Sequence, residues 1–450
     1  MKENKNMMTR REAIRAMMLA GAGLAAGSSL AAAPLRAAGV LPQNWKFIEP
    51  AKGDQVIHRT WQTLGGESVS LLGMGCMRFP RKPGAGRRAP LDQDVVNQMI
   101  DYALEHGINY FDTAPAYGDS ERATGEALSR HNRKDYLIAT KMSNFSNADL
   151  DACKTMFANS LKNLRTTYFD YFLLHSISDM ADFNRRFKDN GLLDWLLEQK
   201  KKGVIRHLGF SFHGSNEALR QLIALPYKWE FVQIQLNYVD WTLQDARRKC
   251  EILREAGLPV WVMEPVRGGK LAAFDAGTEA RLRALRPDES IPAWAFRWLR
   301  TLPKPTMILS GMSNLEQMED NLKTFSEHKP LNEEELALLE EIAARLSRQI
   351  PCTGCRYCCA GCPKELDIPL LMSMANDMAV TRSFNLVARY SALGPEKQAG
   401  ACIGCGQCSR ACPQKIDVPE QMRRLDALMA SQKSWEEICR ERAEAAAKKA

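Results

Sequence analysis

Asp112, Tyr117, Lys141 and His175 are the residues of this 450-residue sequence whose types and placement best suit proton transfer. Asp112 and Tyr117 fall in one stretch, Asn109 to Gly118, which reads Asn-Tyr-Phe-Asp-Thr-Ala-Pro-Ala-Tyr-Gly. Ile108, Tyr110 and Phe111 are bulky β-formers and predict a buried strand, which Pro115 and Gly118 end in a tight loop. Lys141 and His175 each terminate an apolar run, Tyr-Leu-Ile-Ala-Thr-Lys and Tyr-Phe-Leu-Leu-His. Alone, such a lysine is more often a snorkelling side chain and such a histidine a satisfied core residue. Together they are a set for acid–base chemistry. A phenol is a poor acid at neutral pH, and a nearby ammonium favours its phenolate. A carboxylate would hold that ammonium charged, and an imidazole orients a partner or relays a proton.

A second group is built from cysteine. Cys352-x2-Cys355-x2-Cys358-x3-Cys362-Pro363 is followed by Cys402-x2-Cys405-x2-Cys408-x3-Cys412-Pro413. The short spacing lets three thiolates cap one face of an iron–sulfur cubane. Zinc competes for any Cys-x2-Cys pair, but the third and fourth spacings argue against it. Nine of the thirteen cysteines lie between Cys352 and Cys412, which marks a site and not a disulfide scaffold spread through a fold. Cys359 reads as a bystander, and Cys76, Cys153 and Cys250 as small core residues.

Elements that could position the first group follow from the pattern between about Val56 and Arg345, where apolar runs alternate with amphipathic stretches. Gln55–Leu64 with Gly65-Gly66 predicts a leading hairpin. Strands are then expected at Val69–Met77, Ile108–Asp112, Tyr136–Lys141, Tyr168–His175, His207–Phe212, Phe231–Leu236, Pro259–Pro265 and Thr306–Ser310. The helices between and after them are Asp92–His106, Glu121–Leu128, Ala152–Leu164, Gly191–Lys202, Asn216–Leu225, Leu243–Ala256, Ile291–Thr301 and Leu315–Phe325. Eight strands and eight helices of this length predict an α/β fold, a (β/α)8 barrel, whose strand ends meet at one rim where chemistry is done. The loop Arg78–Arg88 follows the first strand on that rim and reads as solvated, though its charge would suit an anionic substrate or a docked domain.

The formal charge is +8, of which Met1–Ala38 supplies six Lys/Arg against two Glu. The remainder is only mildly basic, and no basic-aromatic stripe points to nucleic acid. Met8-Thr9-Arg10-Arg11 precedes a mild apolar run, Ala16–Ala33, with small residues near Ala37-Ala38; this is an export signal and resembles the twin-arginine type. The run is too short and mild for a stable membrane span. A disordered tail and an uncleaved anchor are the competing readings of this segment.

The middle of the chain resembles the aldo-keto reductase family. The family's catalytic tetrad matches at Asp112, Tyr117, Lys141 and His175, and the resemblance implies that Tyr117 protonates a carbonyl oxygen as hydride arrives. It also implies a nicotinamide cofactor, NADP(H) or NAD(H). Ser211 and Gln233 would hold its carboxamide. Pro265, Arg267 and Gly268 would cover the pyrophosphate, and Ser310, Gly311, Ser313, Gln317 and Asn321 would form the adenosine-phosphate site. Phe212 stands where many members carry Asn. The lysine near Gly311 and arginine near Gln317 of NADPH-selective members are missing, which argues against a tight 2′-phosphate site. No Gly-x-Gly-x-x-Gly fingerprint suggests a Rossmann domain.

The cysteine runs resemble bacterial two-cluster ferredoxins, in which the fourth cysteine of each run serves the other cluster. That resemblance implies one 4Fe–4S cluster on Cys352, Cys355, Cys358 and Cys412, and a second on Cys402, Cys405, Cys408 and Cys362. Asp367-Ile368-Pro369 and Asp417-Val418-Pro419 repeat after the two runs, each before a helical stretch. The expected organisation is a leader over 1–38, a barrel over 50–345, a small all-α ferredoxin-like domain over 346–432 and a charged tail over 433–450. Cytosolic cluster loading and export of a folded protein to the periplasm are mutually consistent. The expected function is an exported oxidoreductase. It would act on a small carbonyl or alcohol and exchange single electrons with a partner. An electron carrier with a scaffold barrel, and a nicotinamide reductase with structural clusters, are the alternatives.

Overall fold

Side chains alternate along β5, β6 and the first part of β7, and this alternation builds the site. In β5 (Tyr110–Asp112), Tyr110 joins the core inside the barrel while Phe111 faces the surrounding helices. In β6 (Leu137–Met142) Ala139 points in and Ile138 out; in β7 (Phe169–Ile177) Leu173 points in and Phe172 out. Asp112, Lys141 and His175 each lie two residues beyond an inward apolar side chain. The two-residue period therefore carries all three into the barrel mouth.

The computed structural model describes residues 47–48, 56–61, 64–83, 89–145, 147–302, 307–380, 387 and 390–432. The leader, most of the basic loop after Lys82 and the tail after Gln432 lie outside the described residues. Eight parallel strands close the barrel: β4 (Leu72–Gly75), β5, β6, β7, β8 (Ile205–Phe212), β9 (Val232–Gln235), β10 (Val260–Met263) and β11 (Met307–Ser310), with β11 returning to β4. The register sets Asp112 beside Ala139 and Ser211 beside Gln233. The barrel floor is closed by a three-stranded antiparallel sheet, β1 (Phe47–Ile48), β2 (His58–Trp61) and β3 (Glu67–Ser70). Gly65 and Gly66 take the positive φ its hairpin turn needs. The Tyr171 hydroxyl donates to Glu67 Oε2 at 2.6 Å, tying that sheet to the barrel interior.

Three expectations change. The run Val69–Met77 is two strands in two sheets, with a bend at Leu71 where the Ser70 hydroxyl donates to the Leu72 carbonyl at 2.7 Å. The stretch Leu243–Ala256 contains Asp245 in the left-handed conformation, so Asp240–Leu243 and Ala246–Glu255 are separate helices. Helix Glu333–Leu346 was not anticipated, although Asn332 and Glu335 form a reciprocal capping box at its start.

Residues after that helix form a helical region with its own apolar core, including Leu366, Leu371, Met372, Met422 and Leu425. Its main helices, Ile368–Val380 and Val418–Ala430, begin at the repeated Asp-x-Pro. Asp417 caps the second by accepting from the Glu420 amide, and Asp367 Oδ1 accepts from the Leu370 amide at 3.3 Å. Among the described residues, no helix is long and apolar enough to cross a membrane.

Candidate active site

Lys141 Nζ donates to Asp112 Oδ1 at 2.5 Å and to the Thr113 carbonyl at 2.8 Å, with both side chains buried. Its ammonium lies 5.0 Å from the centre of the Tyr117 ring. Tyr117 sits on the single turn Pro115–Tyr117 that follows β5, and its ring meets His175 edge-on at 5.7 Å. The four residues converge at one mouth.

Neighbours fix their states. Burial, with Lys141 and Arg186 close by, holds His175 well below the ordinary imidazole range, so the ring is neutral. Its Nδ1 is 2.7 Å from the Ser143 hydroxyl. When Ser143 donates there, Nε2–H is left as a donor into the cavity. Arg186 braces this strand end, donating to the His175 carbonyl at 2.6 Å and the Asn144 carbonyl at 2.7 Å. Burial pushes the Asp112 carboxyl up against the opposing pull of Lys141. Tyr117 departs from expectation: burial, the neighbouring Tyr357 and Asp112 push its phenol well above its usual value. The ammonium expected to lower it is paired with Asp112, so the phenol is held protonated.

A cavity of about 320 Å³ opens from the four residues. Ser211, Gln233, Pro265 and Gly268 line it, as do Ser310, Gly311, Ser313, Gln317 and Asn321. Gln233 Oε1 is buried without a hydrogen-bond partner, which suits an amide N–H donor. Ser211 Oγ accepts from the Ser176 amide at 2.7 Å and keeps its proton to donate. These two residues fit a nicotinamide carboxamide. Arg267 is not brought to the cavity. It is buried and pairs with Asp240 at 3.1 Å, with its Nη2 3.5 Å from the Pro351 carbonyl.

The aldo/keto reductase family matches residues 71–344, more than half of the sequence. The chain belongs to the aldo/keto reductase family. Among its relatives, the uncharacterized oxidoreductase YqkF of Bacillus subtilis (strain 168) is 26% identical over 310 residues, 60% of this chain and 92% of the relative. The NADH-specific methylglyoxal reductase of Escherichia coli (strain K12) is 23% identical over 333 residues, 63% of this chain and 98% of the relative. Among solved structures, the thermostable aldo-keto reductase Tm1743 in complex with epalrestat has a TM-score of 0.50 at 22% identity, covering 62% of this chain and 96% of that one. That likeness is one of fold.

Beyond the reductase barrel, residues 351–417 match the 4Fe-4S dicluster domain. Cys352, Cys355, Cys358 and Cys412 surround one small cavity, and Cys362, Cys402, Cys405 and Cys408 surround another. Thiols grouped in fours from both runs fit the crossed cubane arrangement. Cys359 lines neither cavity.

The dicluster region forms one wall of the reductase cavity, contributing Thr353, Cys355, Tyr357 and Gln414. Gln414 Nε2 donates to Gln235 Oε1 at 2.7 Å. Thr353 rests on Gly268, which has positive φ; a Cβ there would come 1.9 Å from the Thr353 carbonyl oxygen. Gly268→Ala should therefore cost about 1–3 kcal/mol from backbone strain alone and loosen the dicluster region. Faster proteolysis between residues 346 and 351, with the barrel still folded, is the expected readout.

Ser143, Arg186, Tyr357 and Glu264 join the site without being expected from the sequence. Glu264 follows the apolar run of β10, but one residue out of step with the inward Trp261, unlike Lys141 and His175. It has positive φ, an unpartnered Oε2 and a carboxyl that burial pushes up to about 7. His213, also on the cavity, is pushed down to about 4 by burial and by Lys415 and Lys249. Unfolded chain therefore binds the extra proton between pH 6.5 and about 4. Stability should fall as pH falls through that window, by at most about 3 kcal/mol. His213→Asn should flatten that part of a melting-temperature profile measured from pH 7.5 to 5.

Proposed function

We propose that this chain is an exported iron–sulfur oxidoreductase in which carbonyl/alcohol redox at the barrel rim is coupled to one-electron transfer through two 4Fe–4S clusters. The observation that carries this reading is that Cys355 lines the same cavity as Tyr117, Lys141 and His175. A thiol of the first cysteine run thus borders the space where the carbonyl would react. At the other end of the dicluster region, Cys405 is exposed and Ile403 is 60% exposed, which suits contact with an electron-transfer partner.

Turning a carbonyl into an alcohol takes two electrons and two protons. A nicotinamide held by Ser211 and Gln233 would supply a hydride, while the cubanes on the two cysteine sets would exchange electrons singly. Tyr117 donates its proton to the carbonyl oxygen. Lys141, held by Asp112, faces the charge that develops on the phenol oxygen. Nε2–H of neutral His175 donates to the same carbonyl oxygen and sets its direction. Burial of these groups keeps water from the reacting oxygen.

The Escherichia coli relative is named for NADH and methylglyoxal, which makes them the first donor and carbonyl to test. With reconstituted protein under anaerobic conditions, NADH or NADPH should bleach the cluster absorbance, and methylglyoxal should restore it. Bleaching by dithionite alone, with no response to nicotinamide or carbonyl, would overturn the coupling. The leader supports a periplasmic location by the twin-arginine route. Substituting R10K/R11K should leave the protein in the cytoplasmic fraction.

A further inference from the structure

Tyr357 reaches the barrel mouth from the loop between Cys355 and Cys358, and its hydroxyl faces His175, the imidazole read above as a donor to the reacting oxygen. That hydroxyl is 3.4 Å from His175 Nε2 and lines the same cavity as Tyr117. Its ring meets His175 edge-on at 6.3 Å and lies 5.8 Å from Phe145. The imidazole that the site offers to a carbonyl oxygen is thus turned to an oxygen of the chain itself, in the cavity that Tyr117 also lines. A carbonyl accepting from His175 Nε2 would compete with that oxygen.

We infer that Tyr357 is an internal occupant of the oxygen seat, a specificity-determining residue that a substrate must displace. The inference rests on reading Tyr117 and His175 as donors to the reacting oxygen, and it is independent of electron coupling.

The chain leading into Tyr357 is anchored at two points. Thr353 sits against Gly268, and Arg356 forks onto Asp367 at 2.8 and 3.1 Å. With the main chain held, displacement falls to the Tyr357 side chain. Phe145, 47% exposed, offers an aromatic surface beside the seat for the displaced ring. The space vacated is that of a flat ring with an oxygen at its end, so a planar conjugated carbonyl is the substrate class best able to refill it. The seat also discriminates: an apolar ring without an oxygen leaves Tyr117 and His175 unsatisfied when it expels the phenol.

Benzoate combines a flat ring with an acceptor oxygen and is a suitable probe. Calorimetric titration of cluster-loaded full chain should show benzoate binding at least tenfold tighter to Tyr357→Ala than to the unsubstituted protein. The double variant Y357A/Y117F should lose that gain, because the gain arises at the seat and not from an enlarged cavity. Iron content reports whether each variant retains its clusters. Should Y357A fail to hold iron, Y357F keeps the ring and removes only the competing oxygen; about threefold tighter binding is then expected. Unchanged benzoate affinity in Y357A and Y357F, or a gain that survives loss of the Tyr117 hydroxyl, would overturn the inference. A coupling failure would appear separately, as clusters that nicotinamide does not bleach.

Discussion

Tyr117→Phe is expected to lower kcat for carbonyl reduction by a factor of about 10²–10⁴, the range removed with a general acid. The phenol is the acidic group on the cavity that stands beside both an ammonium and a neutral imidazole, with Lys141 5.0 Å from its ring centre. Phenylalanine keeps the ring and its edge contact with His175, so the loss should fall on kcat and leave KM within a few-fold. Because Lys141 is paired with Asp112 and not with Tyr117, the buried ion pair survives the substitution and the melting temperature should change little. The iron content should be unchanged, since Tyr117 lines neither cysteine cavity. Steady-state rates with NADH and methylglyoxal, measured beside dithionite-reduced dye turnover, make the check. An electron carrier with a scaffold barrel would keep its dye turnover in this variant, and a carbonyl rate unchanged by the substitution would remove Tyr117 from the chemistry.

The tetrad was legible because two local signals coincide in it. Each strand shows a run of apolar residues, and each run ends on a polar group with the inward parity. The same rule does not reach Glu264: Trp261 points inward, so Glu264 has the outward parity, and it stands on the cavity with a positive φ that no two-residue period anticipates. Arg267 was legible as a loop cation but not in direction. Asp240, 27 residues earlier, captures it, and only the folded chain places that carboxylate beneath the loop. Tyr357 left no local trace. Its partner His175 lies 182 residues away in another core, and no periodicity encodes the docking of one core on another. The helices of the dicluster region were legible for the opposite reason, since Asp-x-Pro states a cap and a first turn within three residues. The strand Val69–Met77 failed because apolar character continues through Leu71 while the hydrogen-bond partners change from β2 to β5 and β11.

Grouping of cysteines from opposite runs leads to the second large effect. Cys412→Ser should remove about half of the iron, and so should Cys355→Ser, because both thiols border the cavity next to the barrel. The informative variant is the double one. If the sets are crossed, C355S/C412S damages one cluster twice and retains the other half of the iron. If each run served its own cluster, the same pair would damage both and nearly all iron would be lost. Pairing C355S with C362S reverses the expectation, since Cys362 borders the cavity with Cys402, Cys405 and Cys408. Iron per chain and the spin signal after dithionite reduction read both. Function separates in the same way. C355S/C412S keeps its exposed end and should still take electrons from a reduced dye through the cluster near Cys405, while nicotinamide no longer bleaches it. Retained nicotinamide bleaching in that variant would show that electrons leave the barrel by a route other than the wall that Cys355 forms.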